Sequence, residues 1–178
     1  PGQTRHMVER LLDPIRDAGM TLPDSSTPCI DLPTRTPKQD LLILHPGSGG
    51  RGKCWPAERF AELLTHLQKQ GHKVAILWGP AENSRQQEFP SALRAPTTLL
   101  SPASPWELAN CLASARLYIG NDTGPGHVAA AVGCPTISIF GSTDAKLWRP
   151  LGPGARVIQA PGGDLQSLSL GIVVDAID

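Results

Sequence analysis

No stretch of this chain approaches the roughly 20 consecutive apolar residues that a membrane-spanning helix needs, and none reads as a signal peptide. Nor is there a surplus of charge. The 16 Lys and Arg residues are balanced by 16 Asp and Glu, so the basic footprint of a nucleic-acid-binding protein is missing and no nucleic-acid partner is expected. The four cysteines, Cys29, Cys54, Cys111 and Cys134, form no C-x-x-C pair, and no histidine stands at zinc-finger spacing. Reduced thiols in a cytoplasmic protein are the expectation that remains. Charged residues make up only 18% of the chain, and neither an internal repeat nor a low-complexity tract is present.

What is abundant is turn chemistry. Gly and Pro number 18 each in 178 residues, which points to many short elements joined by tight loops. The length suits one compact domain with a short appendage, able to bury roughly 70% of its unfolded surface without disulfides or metal. The first residue is Pro1 rather than Met, so the chain reads as a piece of a longer protein or a processed form.

Hydrophobic periodicity predicts a helix over 3–18, with Val8, Leu11, Leu12 and Ile15 on one face, a kink at Pro14 and a stop at Gly19. Residues 21–40 are rich in Pro, Ser and Thr and read as a surface connector. From residue 41 short apolar runs alternate with helical patterns. Strands are predicted at 41–44, 73–78, 97–100, 115–120, 135–140 and 155–160. A helix opens at Pro56, lines one face with Phe60, Leu63, Leu64 and Leu67, and ends at Gly71. Others are predicted over 81–88, from the Ser104/Glu107 capping box to about Ser114, over the small residues 124–132, and in a ragged tail at 165–178. Strands apolar on both faces that alternate with helices make a parallel sheet covered on both sides. The expected fold is therefore a doubly wound, six-stranded, Rossmann-like α/β domain. Ligands of such sheets bind beyond the carboxyl ends of the strands, which directs attention to loops 45–55, 79–82, 101–104, 121–124 and 141–144.

The first of these loops reads "HPGSGGRGKCWP", and within it Gly47, Gly52 and Lys53 spell seven-eighths of a phosphate-binding P-loop. Its glycines let backbone N–H groups approach an anion, Lys53 adds a point charge, and a helix N-terminus follows. Yet Cys54 replaces the hydroxyl that would hold Mg²⁺, Pro56 falls where a P-loop helix is already under way, and no strand ends in the acidic residue that would hold the metal. In the loop "NDTG", Asp122 and Thr123 are natural N-caps for the following helix, while Gly124 and His127 stand where they can meet an anion at its first turn. Glu82 follows the second strand, a place where a carboxylate takes ribose hydroxyls, or serves simply as a first-turn glutamate. Ser142 and Thr143 can bond a sugar or phosphate, or cap the next turn. There is no G-x-G-x-x-G after the first strand, against a dinucleotide-dependent dehydrogenase, and no D-x-D pair for a metal on a nucleotide-sugar. No metal or other cofactor is expected. A diphosphate here is expected to be neutralised by Lys53, His127 and helix dipoles.

Three stretches in order, "HPGSGGRGKCWP", "GNDTGPGHVAAAVGCPTISIFGSTD" and "WRPLGP", resemble glycosyltransferase family 9, the ADP-heptose:lipopolysaccharide heptosyltransferases, over about residues 41–160. The resemblance implies the C-terminal, donor-binding lobe of a two-lobed GT-B enzyme. Residues 1–40 would be an inter-lobe helix and connector, residues 41–178 the nucleotide-sugar domain, and the acceptor lobe would be missing. It implies Ser48, Lys53, Thr123, Gly124 and His127 at the diphosphate, Glu82 at the ribose and Asp122 at hydroxyls of the donor sugar. It also implies an inverting displacement with the general base in the other lobe, so that these residues alone are inactive. A lipopolysaccharide-core-like acceptor, and peripheral association with the inner face of the bacterial inner membrane through the other lobe, follow from the family as well; the sugar is read from the family alone. The alternatives are a Mg²⁺-dependent P-loop ATPase or kinase and a non-catalytic nucleotide-binding module.

Overall fold

The computed structural model describes residues 5–22, 27–33, 36–95 and 98–177. Six strands, β1 (Leu41–His45), β2 (Lys73–Leu77), β3 (Leu99–Leu100), β4 (Leu117–Asn121), β5 (Thr136–Phe140) and β6 (Ala155–Gln159), form one parallel sheet in the order β3-β2-β1-β4-β5-β6. The order reverses between β1 and β4. The loops leaving these two neighbours therefore diverge to opposite sides and open a crevice between them. Those loops are the glycine-rich segment and the NDTG segment.

The strands alternate across two apolar layers. Leu42, Leu44, Ile76, Ile119 and Ile137 face one layer with Trp55, Phe60, Leu63, Leu67 and Val173. Ile43, Leu77 and Tyr118 face the other with Leu112, Ala115 and Ala129. The first layer is covered by α2 (Ala57–Lys69) and α8 (Leu170–Asp175), the second by α5 (Pro105–Ser114) and α6 (Gly124–Ala131). Phe60, Leu63, Leu64 and Leu67 are all buried, at the spacing the sequence shows. Gly71 and Gly133 end α2 and α6 with φ of 86° and 74°, values that a side chain would strain.

The first helix, α1, covers Met7–Asp17 with His6 as its cap; residues 3 and 4 of the expected span lie outside the described residues. Pro14 sits inside α1, and none of the helix's residues is buried. The connector forms no helix or strand in its described residues. It runs along the carboxyl ends of α5 and α6, where the Ile30 N–H bonds Ala131 O and the Gln39 N–H bonds Ser114 O.

Four local expectations change. Segment 81–88 is not one helix but α3 (Pro80–Asn83) and a separate 3₁₀ turn at Gln86–Glu88, because Phe89 folds back edge-on to Trp78 with ring centroids 4.9 Å apart. The third strand starts at Leu99, and Thr97 of the expected span is outside the described residues. Two single-turn helices have no periodicity long enough to read: α4 (Ser91–Arg94) and α7 (Ala145–Trp148). Asp144, not Ser142 or Thr143, caps α7, its carboxylate accepting from the Lys146 N–H at 2.8 Å. Among the described residues, no helix is long and apolar enough to cross a membrane.

Candidate functional site

At the carboxyl end of β1 the chain enters the glycine-rich loop, makes a 3₁₀ turn at Arg51–Lys53, and extends again through Cys54 before α2 begins at Ala57. A P-loop would already be helical at Lys53. Here Pro56 is the residue that precedes the helix, and the P-loop geometry is not formed. Gly47 differs from the glycines that follow it. A methyl group at Gly47 would overlap the Glu82 carboxylate, whereas one at Gly49, Gly50 or Gly52 would meet nothing within 4 Å. None of these four has a positive φ. Neither backbone strain nor packing explains glycine at 49, 50 and 52; they present bare backbone to open space.

Lys53 reaches across the crevice. Its Nζ lies 3.3 Å from Asp122 Oδ2, with the lysine side chain 51% exposed and the aspartate 9%. Ser48 is buried, its Oγ accepting from the Gly50 N–H at 3.3 Å, so the hydroxyl braces the loop's own turn. On the outer side Arg51 pairs with Glu88, which also holds Arg85 at 2.9 Å. Burial pushes the Cys54 thiol up, with Arg85 opposing, which leaves the thiol protonated near Gly50 O.

Beside Lys53, the loop after β4 leads into α6. Thr123 is its N-cap by position, but no side chain makes the capping bond. Both natural caps are diverted: Asp122 pairs with Lys53, while the Thr123 hydroxyl donates to Asn121 O at 3.3 Å and lies 3.3 Å from His45 Nδ1. The first turn of α6, starting at Gly124, is therefore left without a side-chain anion of its own. Gly126 lets that turn sit close to the sheet, since a methyl there would be 3.2 Å from Ser138 Oγ. His127 is exposed one turn in, yet surrounding protein holds its imidazole below the usual histidine value; the Asp122 charge opposes this and His6 adds to it. It stands neutral in the free chain at neutral pH.

Glu82 is almost wholly buried. Its Oε2 accepts from the Gly79 N–H at 2.7 Å, and its Oε1 lies 3.8 Å from His45 Nε2. Burial raises its carboxyl, but the neighbouring His45 and the Gly79 backbone N–H together hold it below the usual glutamate value. A depressed carboxyl contributes stability that is present above the unfolded-state value, about 4.3, and is lost as pH falls through the folded value. Glu82→Gln is expected to lower the melting temperature near neutral pH and to flatten its decline below about pH 4. Melting curves from pH 7 to 3 test this, and an unchanged acid limb would contradict it.

Two members of the site are not evident as site residues in the sequence. His45, the last residue of β1, joins Glu82 to Thr123, and its Nδ1 also lies 3.1 Å from the Tyr118 hydroxyl. Burial drives that phenol upward, so it stays protonated. Asn121, fully buried at the end of β4, bonds the glycine-rich loop three times. Glycine at 120 is required beside them, because a methyl there would press on the Tyr118 ring and on His45 Cβ.

Next to these groups lies a largely apolar groove of about 430 Å³. It is walled by Leu77, Trp78, Pro80, Pro102, Leu108 and Val128, with His45 and Gly124 on the side toward the glycine-rich and NDTG loops. A larger hollow, about 640 Å³ between the connector and the ends of α5 and α6, is remote from these loops. Lys53, Asp122, Thr123, Gly124 and His127 thus gather at one crevice. Ser48 and Glu82 lie immediately beneath it with their side chains turned inward. Among the described residues, no group of three or more His, Cys, Asp and Glu is arranged to hold a metal.

The geometry has counterparts. The chain is 33% identical over 135 residues to a lipopolysaccharide heptosyltransferase 3 of Escherichia coli, covering 74% of this chain and 39% of that protein. It is 37% identical over 107 residues to a lipopolysaccharide heptosyltransferase 1 of Pseudomonas aeruginosa, covering 58% and 29%. It therefore spans less than half the length of these curated relatives. Among solved structures, the E. coli heptosyltransferase WaaC with ADP superposes at a TM-score of 0.78 and 26% identity, over 99% of this chain and 57% of that one. A glycosyl transferase family 9 protein from Veillonella parvula shares the fold at a TM-score of 0.79 and 22% identity, over 99% and 60%. The family described as glycosyltransferase family 9 (heptosyltransferase) matches residues 5–169, and the chain belongs to that family.

Proposed function

We propose that residues 41–178 are the donor-binding half of an inverting glycosyltransferase that moves a heptose-like sugar from an ADP-sugar to a lipopolysaccharide-core-like acceptor, with residues 1–40 leading in from an acceptor-binding lobe. The observation that carries this reading is the crevice at the sheet's switch point. There an uncapped helix N-terminus, a lysine and bare glycine backbone converge beside an apolar slot. The slot takes the adenine, and the loop N–H groups, Lys53 and the first turn of α6 take the diphosphate. Asp122, released from Lys53 by the incoming phosphate, turns to hydroxyls of the sugar. Glu82, held ionised beneath the loop, is the ribose carboxylate and needs a small displacement of Gly47 to be reached.

In the reaction an acceptor hydroxyl attacks the anomeric carbon as the bond to the diphosphate oxygen breaks, and ADP departs with the electron pair. The hydroxyl proton passes to a carboxylate outside residues 1–178. The charge growing on the leaving diphosphate is met by Lys53, by His127 once protonated and by the α6 dipole, the last worth about 0.3–1 kcal/mol. No metal is assigned to this task. Residues 1–178 alone bind donor and do not turn it over, and the reaction belongs at the cytoplasmic face of the inner membrane.

Calorimetric titration with ADP tests the reading. Binding that is indifferent to EDTA and about 10- to 100-fold weaker in Lys53→Ala is expected, since a lost charged hydrogen bond costs about 1.5–3 kcal/mol. A flat titration would contradict it, and binding that requires Mg²⁺ would favour the ATPase or kinase alternative.

A further inference from the structure

Among the described residues, Asn121 is the one buried side chain that holds both ends of the glycine-rich loop. Its Oδ1 accepts from the Trp55 N–H at 2.9 Å, where the loop leaves for α2. Its Nδ2 donates to Pro46 O at 3.0 Å and to Gly47 O at 3.1 Å, where the loop leaves β1. The residue is 0% exposed, so these three bonds are made away from competing water. The whole amide is used: one acceptor and two donors, each with a backbone partner.

We propose that Asn121 is a positioning residue for diphosphate recognition. It closes the neck of loop 46–55 and sets the distance between the loop's N–H groups and the start of α6. This rests on the nucleotide reading given above and adds a residue to it. Asn121 immediately precedes Asp122 and Thr123, so the strand end that launches α6 also fixes the opposite wall of the crevice. Between the two clamped ends, Gly49, Gly50 and Gly52 have no packing partners of their own at Cβ. The loop's other side-chain contacts lie toward its surface or are long. Arg51, 74% exposed, pairs with Glu88, and Lys53, 51% exposed, with Asp122. The Gly50 N–H donates to Ser48 Oγ at 3.3 Å, Arg85 reaches Ser48 O at 3.5 Å and Cys54 Sγ lies 3.6 Å from Gly50 O. An unclamped loop of this composition samples many conformations, and a bound diphosphate would have to order it. Aspartate, though isosteric, keeps the bond from the Trp55 N–H and loses both donors, setting its charge against two carbonyl oxygens.

The apolar slot is built from His45 at the end of β1 and from residues of 77–80, 102–108 and 124–128, and no residue of loop 46–55 lines it. Adenosine and ADP therefore separate a positioning role from a general structural one. For Asn121→Ala the dissociation constant of ADP is expected to rise about 10- to 100-fold while that of adenosine changes less than about twofold. Asn121→Asp is expected to behave in the same way and is read wherever Asn121→Ala fails to fold. Equal losses for the two ligands, or none for ADP, overturn the proposal while leaving the nucleotide reading intact. If the unsubstituted chain binds neither ligand, both fall. The unsubstituted chain also gives a readout that needs no variant. In amide hydrogen exchange the Trp55 N–H must be protected like the sheet, far beyond Gly49 and Gly50, and fast exchange at Trp55 overturns the clamp.

Discussion

Gly47→Ala is expected to destabilise the chain by about 3 kcal/mol and to abolish measurable ADP binding. The added methyl would occupy the space of the Glu82 carboxylate, which is buried, ionised and held by the Gly79 N–H at 2.7 Å. Something must give way. If the loop moves, Gly47 O leaves Asn121 Nδ2; if Glu82 moves, a buried carboxylate loses its backbone donor and the approach to His45. An extra methyl in a packed site costs about 1–3 kcal/mol, and a weakened bond to a buried charge adds about 1.5 kcal/mol. Gly49→Ala, whose methyl meets no atom of the chain, is the control. Its stability should be within about 0.5 kcal/mol of the original, while its ADP affinity is expected to fall, because under the proposed function the methyl would intrude on the diphosphate's approach. Urea unfolding and ADP titration of the two variants check this pair of outcomes; equal stability losses would contradict it.

Trp55→Ala is expected to cost about 3–5 kcal/mol, the range for removing a buried aromatic side chain. Trp55 is fully buried against Phe60, the ring centroids being 5.0 Å apart at 74°. Its indole N–H donates to Leu168 O at 3.0 Å, which ties the tail before α8 to the exit of the glycine-rich loop. Trp55→Phe keeps most of the apolar volume but leaves Leu168 O without its donor, so about 1–2 kcal/mol is expected. Measured by chemical denaturation, the order should be Ala well below Phe, and Phe below the original residue. A Trp55→Ala chain as stable as Trp55→Phe would mean that packing in this corner contributes little.

The sheet was legible because β1, β2, β4 and β5 are short, largely apolar runs bounded by Gly, Pro or polar turns, and burial on both faces leaves such runs little alternative to a parallel sheet, whereas β6 at the edge carries Arg156 and Gln159 and is only partly buried. The crevice was legible for a related reason: the glycine-rich and NDTG loops follow strands that topology makes neighbours. Less was visible where chemistry depends on contacts distant in sequence. Thr123 has the composition of a capping residue, but His45, 78 positions away, competes for its hydroxyl, so the helix start is left open. Asn121 reads as the first residue of a turn until Pro46, Gly47 and Trp55 are seen around its amide. Glu82 reads equally as a ribose carboxylate or as an exposed first-turn glutamate, and its burial is not evident until Gly47 is seen to leave the space it occupies. The short α4 and α7 offer one turn each, too little for periodicity to register.

The most direct test of the account is an amide-resolved NMR titration of the chain with ADP in the presence of EDTA. The account predicts saturable shifts at Gly47–Lys53, Trp78–Glu82, Ala103–Ser104 and Asp122–His127, the four loops that meet at the switch point. Shifts confined to Ile30–Leu32 and Val132–Gly133, around the larger hollow at the other end of the sheet, would contradict it, as would the absence of any saturable shift.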